Sequence, residues 1–346
     1  MNINTLQKFN PFEIERKKKN KIYINQISLL NLHHYNQCEK YKKIINNLKF
    51  KLKSNNRLED FPMLPARIFK KFDLKSIPEN KIVKKLVSSG TSGQELSKIY
   101  LDKKNASDQV RVLVKIMSTI LGNKRLPMLV IDQKPKTTNK LIFNASTAAI
   151  YGFSIFGTQR NYLLDENKKI DYIVLNNFLK EYGADKFLIF GFTSLVYENL
   201  IQKLSVNLIK SDFQNGILIH GGGWKKMEKI KMPNKIFKKK LKEKLKLEKI
   251  FNYYGLIEQT GSIFFECKGC SCFTTSKYSE VLIRNKNFKI LKNNQKGFIQ
   301  LLSLLPKSYP GHSILTEDMG EIVENDCNLC SGKKKFLVHG RAEKSE

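Results

Sequence analysis

Arginine is scarce in this chain. Of its 62 basic residues only Arg16, Arg57, Arg67, Arg111, Arg125, Arg160, Arg284 and Arg341 carry a guanidinium, and the rest are lysine. Acidic residues are also few, 31 against those 62, for a net charge of +31. Such a balance invites a nucleic-acid reading. However, base and phosphate readers favour the planar arginine fork, and no reading helix or aromatic platform is recognisable. Lysine, asparagine and isoleucine are abundant together, which reads as compositional drift over solvated surfaces. No stretch approaches eighteen uninterrupted apolar residues, which excludes an obvious membrane span. The opening MNINTLQKFNPFEIERKKKNK lacks the apolar core of a secretory leader, so the expected location is the cytosol. Proline is sparse and 41% of residues are hydrophobic, enough over 346 residues for a large core.

What is present concentrates in a few places. SSGTSGQELSK, residues 88–98, is crowded with small hydroxyls and glycines. Such a stretch serves as a flexible linker, as a capped turn, or as a cradle in which backbone N–H groups and hydroxyls meet a phosphate. It is not a Walker loop, because Glu95 and Leu96 stand where Gly-Lys would follow Gly90. Five of six cysteines form two clusters, Cys267, Cys270 and Cys272 in CKGCSC and Cys327 and Cys330 in CNLC. In a cytosolic protein that spacing points to metal before disulfides. Unpaired loop thiols, or one reactive thiol, are the alternatives.

Residues 1–60 read as a helical, basic N-terminal region. Residues 60–74, DFPMLPARIFKKFDL, read as an ordered loop or short strand. Apolar runs then alternate with helix-period segments. LPMLVID (126–132), FLIFGFT (187–193), GILIHGGG (216–223) and KIFNYYG (249–255) are expected strands, and 103–121 and 168–181 expected helices. That is the βαβ rhythm of an α/β sheet, whose ligands gather at the carboxyl ends of the strands. After residue 261 shorter strands suggest a β-rich subdomain over 262–340. In 234–250 the spacing of Phe237, Leu241 and Leu245 predicts a buried helical face, with Lys238, Lys239 and Lys242 pointing away. These lysines read either as a solvated face or as a dock for an acidic partner.

SSGTSGQ, NYYGLIEQTG, HSILTEDMGEI and HGRAEK occur in the order of the core motifs of adenylate-forming enzymes, the acyl-CoA synthetase and luciferase superfamily. With LPARIFKKFDL, ILIHGGGWKKM and LLSLLPKSYPG, the chain from about residue 60 onward resembles the acyl-protein synthetase family, the fatty-acid ligase of bacterial luminescence. The resemblance implies an α/β adenylating core over 61–261, the large N-terminal domain of such an enzyme. The usual small C-terminal domain would be missing, and 341–346 would be a hinge remnant. It implies ATP-dependent activation of a fatty acid and transfer to a thiol on an acyl carrier protein or another protein. A ligase acting on coenzyme A is the alternative, and a non-enzymatic basic zinc module a more distant one.

Site residues follow from the same resemblance. Ser88, Ser89, Gly90, Thr91, Ser92 and Gly93 would hold the β- and γ-phosphates. Glu258 would hold Mg²⁺, which prefers carboxylate oxygen. Tyr254 and Gly255, with Gly221, Gly222 and Gly223 opposite, would flank adenine. Asp318 would take the ribose hydroxyls, and Arg341 the ribose or α-phosphate. Taken without the resemblance, Tyr254 reads as core, Asp318 as a turn cap before Gly320, and Glu258 as a surface acid. The two cysteine clusters are expected to supply a structural Zn²⁺ site. The sequence departs from the superfamily where Ile257 replaces a threonine, where Lys98 is displaced from the usual lysine position, and in the absence of the family's acceptor cysteine.

Overall fold

The computed structural model describes residues 6, 10–51, 56–88, 95–135, 142–209, 213–224, 227, 230–324 and 326–342. They form two compact units: one gathers 1–117, 139–145 and 255–346, the other 118–138 and 146–254. Within the first unit a helix near the N-terminus packs on strands distant in sequence. Arg16–Gln37 buries Lys19, Tyr23, Ile27, Leu30 and His34. Lys19 pairs with Glu280 at 3.0 Å, and the His34 ring stacks on His312 with centroids 5.0 Å apart. A basic N-terminal segment thereby joins the same unit as the last strands.

The second unit is a parallel sheet in the order Gly157–Leu164, Leu126–Gln133, Phe187–Phe192, Gly216–Gly221, Lys249–Tyr254. Every residue of Gly216–Gly221 is buried, as the strand's continuous apolar run requires when both sheet faces are covered. Helix Asn234–Leu245 buries Phe237, Leu241 and Leu245, the face expected from their spacing. The helix expected at 168–181 begins later, at Tyr172, because Asp171 caps it by accepting from the Ile173 and Val174 N–H groups. Residues 165–169 instead form a turn in which the Asp165 carboxylate accepts from Asn167 and Lys169.

The first unit carries an antiparallel array in the order Ser279–Arg284, Gly297–Ser303, Ser313–Val323, Lys335–Arg341, Phe273–Thr274, Phe264–Glu266. Leu64–Pro65 lies parallel to Ser313–Val323. A separate three-stranded sheet is ordered Lys98–Leu101, Lys84–Val87, Ile142–Asn144. Ser313–Val323 is longer than the sequence suggests, because a register shift at Met319 and Gly320 lets one strand bend without ending. Among the described residues no helix is long and apolar enough to cross a membrane.

Candidate functional site

The hydroxyl-rich stretch connects two antiparallel strands, Lys84–Val87 and Lys98–Leu101, which close with Val87 opposite Lys98. One step beyond that pair, Ser88 N–H donates to the Ser97 carbonyl (3.0 Å) and Ser97 N–H donates to the Ser88 hydroxyl oxygen (2.9 Å). Ser89, Gly90, Thr91, Ser92 and Gly93 lie outside the described residues. Lys98 is turned to Asp73 (3.6 Å), which also accepts from the Tyr100 hydroxyl (2.8 Å).

Glu258 sits in the single turn Ile257–Gln259 and is only 6% exposed, so it is not a surface acid. The Gln259 side-chain amide fixes that turn by donating to the carbonyls of Leu301 (3.0 Å) and Gly311 (2.9 Å). Gly311 is needed there, since a Cβ would lie 2.3 Å from the Tyr309 ring and 2.6 Å from the Glu258 carbonyl. Burial pushes the Glu258 carboxyl upward, and a hydrogen bond from Ser97 with the charge of Lys70 opposes this. None of the ion pairs among the described residues includes Glu258. Ser97, at the base of the hydroxyl-rich loop, is itself buried at 1% exposure. That residue lies inside the quoted stretch, but nothing in its sequence position distinguishes it from its neighbours.

Asp318 and Arg341 face each other across the paired strands Ser313–Val323 and Lys335–Arg341. Asp318 is half-buried, and its N–H donates to the Thr316 hydroxyl (3.1 Å). Arg341 extends into solvent, with its guanidinium 4.0 Å from Glu317. Gly320 tolerates no side chain, because a Cβ would lie 2.3 Å from the Leu337 carbonyl.

In the second unit the three glycines differ in their reasons. At Gly221 a Cβ would collide with the Tyr253 ring at 2.5 Å. Gly222 has φ +76°, which L-residues rarely adopt, and Gly223 faces open space. Tyr254, half-buried, ends the next strand of that sheet. Two residues that sequence reasoning passed over support this turn. Thr193 donates to the Gly221 carbonyl (3.1 Å), and its hydroxyl oxygen lies 3.0 Å from His220 Nδ1. His220 is buried, which holds its imidazole down at about 3 and hence neutral. Gly255, whose Cβ position approaches Ile263 at 3.2 Å, belongs to the first unit with Glu258 and Asp318.

Four cysteines converge. The sulfurs of Cys267, Cys270, Cys327 and Cys330 all lie within 4.8 Å of one another, with Cys267 to Cys327 at 3.7 Å and Cys270 to Cys330 at 3.5 Å. A tetrahedral zinc with Zn–S bonds of about 2.3 Å requires sulfurs about 3.8 Å apart, so the donor set fits that ion. Cys272 is outside the group and contacts the Cys270 carbonyl at 3.5 Å. Its backbone serves the knuckle instead, where the Cys267 N–H donates to the Cys272 carbonyl (2.8 Å). Gly269 opens the space, because a Cβ there would sit 2.7 Å from the Cys327 sulfur.

The architecture has solved counterparts. 2-Hydroxyisobutyryl-CoA ligase, in an open conformation with 2-HIB-AMP and CoA, superposes with a TM-score of 0.70 at 13% identity, over 95% of this chain and 76% of that one. The same ligase in its postadenylation state gives 0.72 at 12% identity, over 96% and 70%. A luciferase-like enzyme of the nonluminescent mealworm Zophobas morio gives 0.51 at 15% identity, over 88% and 70%. These likenesses identify the α/β fold of the N-terminal domain of adenylate-forming enzymes. No curated protein matches the sequence. Residues 3–346 do match the family described as acyl-protein synthetase, LuxE, and the chain belongs to that family.

Proposed function

We propose that this chain activates a fatty acid with ATP and passes the acyl group to a thiol on an acidic protein. A carboxylate oxygen of the acid attacks the α-phosphorus, and the bond from that phosphorus to pyrophosphate breaks. A thiolate then attacks the acyl carbon, and AMP leaves with the electron pair. Such chemistry asks the protein for positioning and charge stabilisation. The observation that carries the reading is Glu258, a buried carboxylate with no ion-pair partner among the described residues. Burial raises its carboxyl, and Ser97, at the base of a loop rich in glycine and hydroxyls, opposes this. A buried carboxylate so placed fits a cation, and Mg²⁺ there would offset phosphate charge as pyrophosphate departs.

The other residues take roles suited to their chemistry. Ser88 and the following loop would contact the β- and γ-phosphates through N–H and hydroxyl donors. Gly221, Gly222, Gly223, Tyr254 and Gly255 would border adenine, Asp318 would accept from the ribose hydroxyls, and Arg341 would approach the ribose or α-phosphate. Cys267, Cys270, Cys327 and Cys330 would hold a structural Zn²⁺ with all four positions filled by protein. A net charge of +31 favours encounter with an acidic thiol-bearing partner such as an acyl carrier protein.

ATP–pyrophosphate exchange against a panel of carboxylic acids tests the first step. A second stage offers labelled adenylate to a carrier protein or to free coenzyme A. Exchange stimulated by a long-chain acid, with label passing to protein, is the expected result. Glu258→Gln should lower exchange by about two to four orders of magnitude, given what charge stabilisation is typically worth. A folded Glu258→Gln protein within about tenfold of wild type would return this residue to a structural role.

A further inference from the structure

Resting on the reading that Gly221, Gly222 and Gly223 border the nucleotide, we infer that Thr193 is a positioning residue for that turn and holds His220 in the tautomer with its proton on Nδ1. Thr193 opens the short helix Thr193–Val196, immediately after strand Phe187–Phe192. That strand lies parallel to Gly216–Gly221, with Phe192 opposite Gly221 and Gly191 opposite His220. Thr193 therefore stands just past the last register pair, at the carboxyl end of the sheet, where α/β folds bind ligands. It is buried there, and its hydroxyl meets two groups of the neighbouring strand. The hydroxyl oxygen lies 3.1 Å from the Gly221 carbonyl and 3.0 Å from His220 Nδ1. A hydroxyl has a single proton and a carbonyl can only accept, so that proton goes to Gly221. The second contact is then a hydrogen bond only if Nδ1 donates. A neutral imidazole has one N–H, which leaves Nε2 bare. Nε2 is buried beside the Phe237 ring, and no acceptor among the described residues draws the proton there. The end point of this relay is the backbone. A peptide is planar, so fixing the Gly221 carbonyl fixes the plane from which Gly222 turns at φ +76°. Glycine imposes no orientation of its own, and here a hydrogen-bond partner supplies it.

Valine at 193 keeps the outline of threonine and deletes both its donor and its acceptor. Thr193→Val in the full chain should raise the ATP concentration for half-maximal pyrophosphate exchange by about fivefold or more, the worth of an ordinary hydrogen bond. The half-saturating acid concentration should change by less than about twofold. Thr193→Ser, which keeps the hydroxyl, should bring ATP half-saturation back to within about twofold of wild type. A threonine needed only for packing would lower the melting temperature and the amount of active protein without moving ATP half-saturation. ATP half-saturation within about twofold of wild type, in a Thr193→Val protein with a wild-type melting temperature, overturns the inference. Should Thr193→Val melt early, imidazole-nitrogen NMR of the wild-type protein decides, with the His220 signals identified by their loss in His220→Asn. A proton on Nδ1 is the expected result, and a proton on Nε2 overturns the inference. Gly223→Val probes the turn separately, because the space beside Gly223 is open. If it raises ATP half-saturation while Thr193→Val does not, the reading of the turn survives and only the role of Thr193 falls. If neither variant raises it, both fall together.

Discussion

Replacing His312 with phenylalanine should make the protein less sensitive to acid. His312 is 1% exposed and stacks on His34 at an interplanar angle of 17°. Its Nε2 has a long contact of 3.4 Å to the Tyr41 hydroxyl, whose proton is already given to Asn31 (2.6 Å). Its Nδ1 has no partner among the described residues. An imidazolium needs acceptors for two N–H groups, and Nδ1–H would find none. Burial, and next the charge of His33, hold His312 down at about 3. Burial and then the charge of His312 likewise depress His34. In the unfolded chain the same imidazole titrates near its ordinary value of about 6.5. Between these values the unfolded state binds the proton and the folded state does not. Stability is therefore complete above about pH 6.5 and declines as pH falls toward 3. Well below pH 6.5 each pH unit costs about 1.4 kcal/mol, and since the unfolded imidazole is only half protonated at 6.5, lowering the pH from 6.5 to 4.5 costs about 2 kcal/mol through His312 alone. Typical domains have about 5–15 kcal/mol in total, which makes this a large share. Phenylalanine keeps an aromatic ring against His34 and removes the proton site. Urea titrations of wild type and His312→Phe at pH 7, 6.5, 5.5 and 4.5 read the difference. The variant should lose about 2 kcal/mol less than wild type over the window. Parallel losses in the two proteins would refute the reasoning.

Two further outcomes concern the first unit's other polar clusters. Glu280, buried between Lys19 (3.0 Å) and Lys334 (2.9 Å), is held down at about 2 by those ammonium groups despite a larger opposing effect of burial. Glu280→Gln strands two lysines in a poorly solvated place and should cost about 3–5 kcal/mol in urea unfolding at pH 7; a loss under about 1 kcal/mol would place the triad with ordinary surface pairs. Protein purified without chelator should carry about one zinc per chain. Cys270→Ser should lose that metal in elemental analysis and Cys272→Ser keep it, and equal loss in both would refute the four-sulfur assignment.

The parallel strands were legible because burial on two faces leaves its mark as unbroken apolar runs, as in FLIFGF and GILIHG. Gly157–Leu164 was not, since its outer part reads GTQRNY and its burial varies along the strand. Helix starts depend on single side chains, and Asp171 looked no different from Asp165 until the hydrogen bonds separated a cap from a turn. The cysteine spacing suggested metal but left five candidates. Only the folded backbone shows that Cys272 offers its carbonyl to the knuckle while its sulfur stays outside the group. Thr193 escaped notice for a related reason: it acts through His220 and Gly221, distant in sequence, and a hydroxyl carries no mark of what it will bond.

The attachment of Arg16–Gln37 to the far end of the chain also has a consequence in time. Lys19 donates to the carbonyl of Ser279, 260 residues further on, and pairs with Glu280 beside it. At about 5–20 residues per second, a ribosome makes those partners roughly ten to fifty seconds after Lys19 itself. All strands of the parallel unit, ending at Tyr254, have been synthesised before then. This helix must wait without its Ser279 and Glu280 partners while a whole unit is produced after it. A nascent chain stalled near residue 260 would therefore show protease cleavage within 16–37 that the finished protein resists.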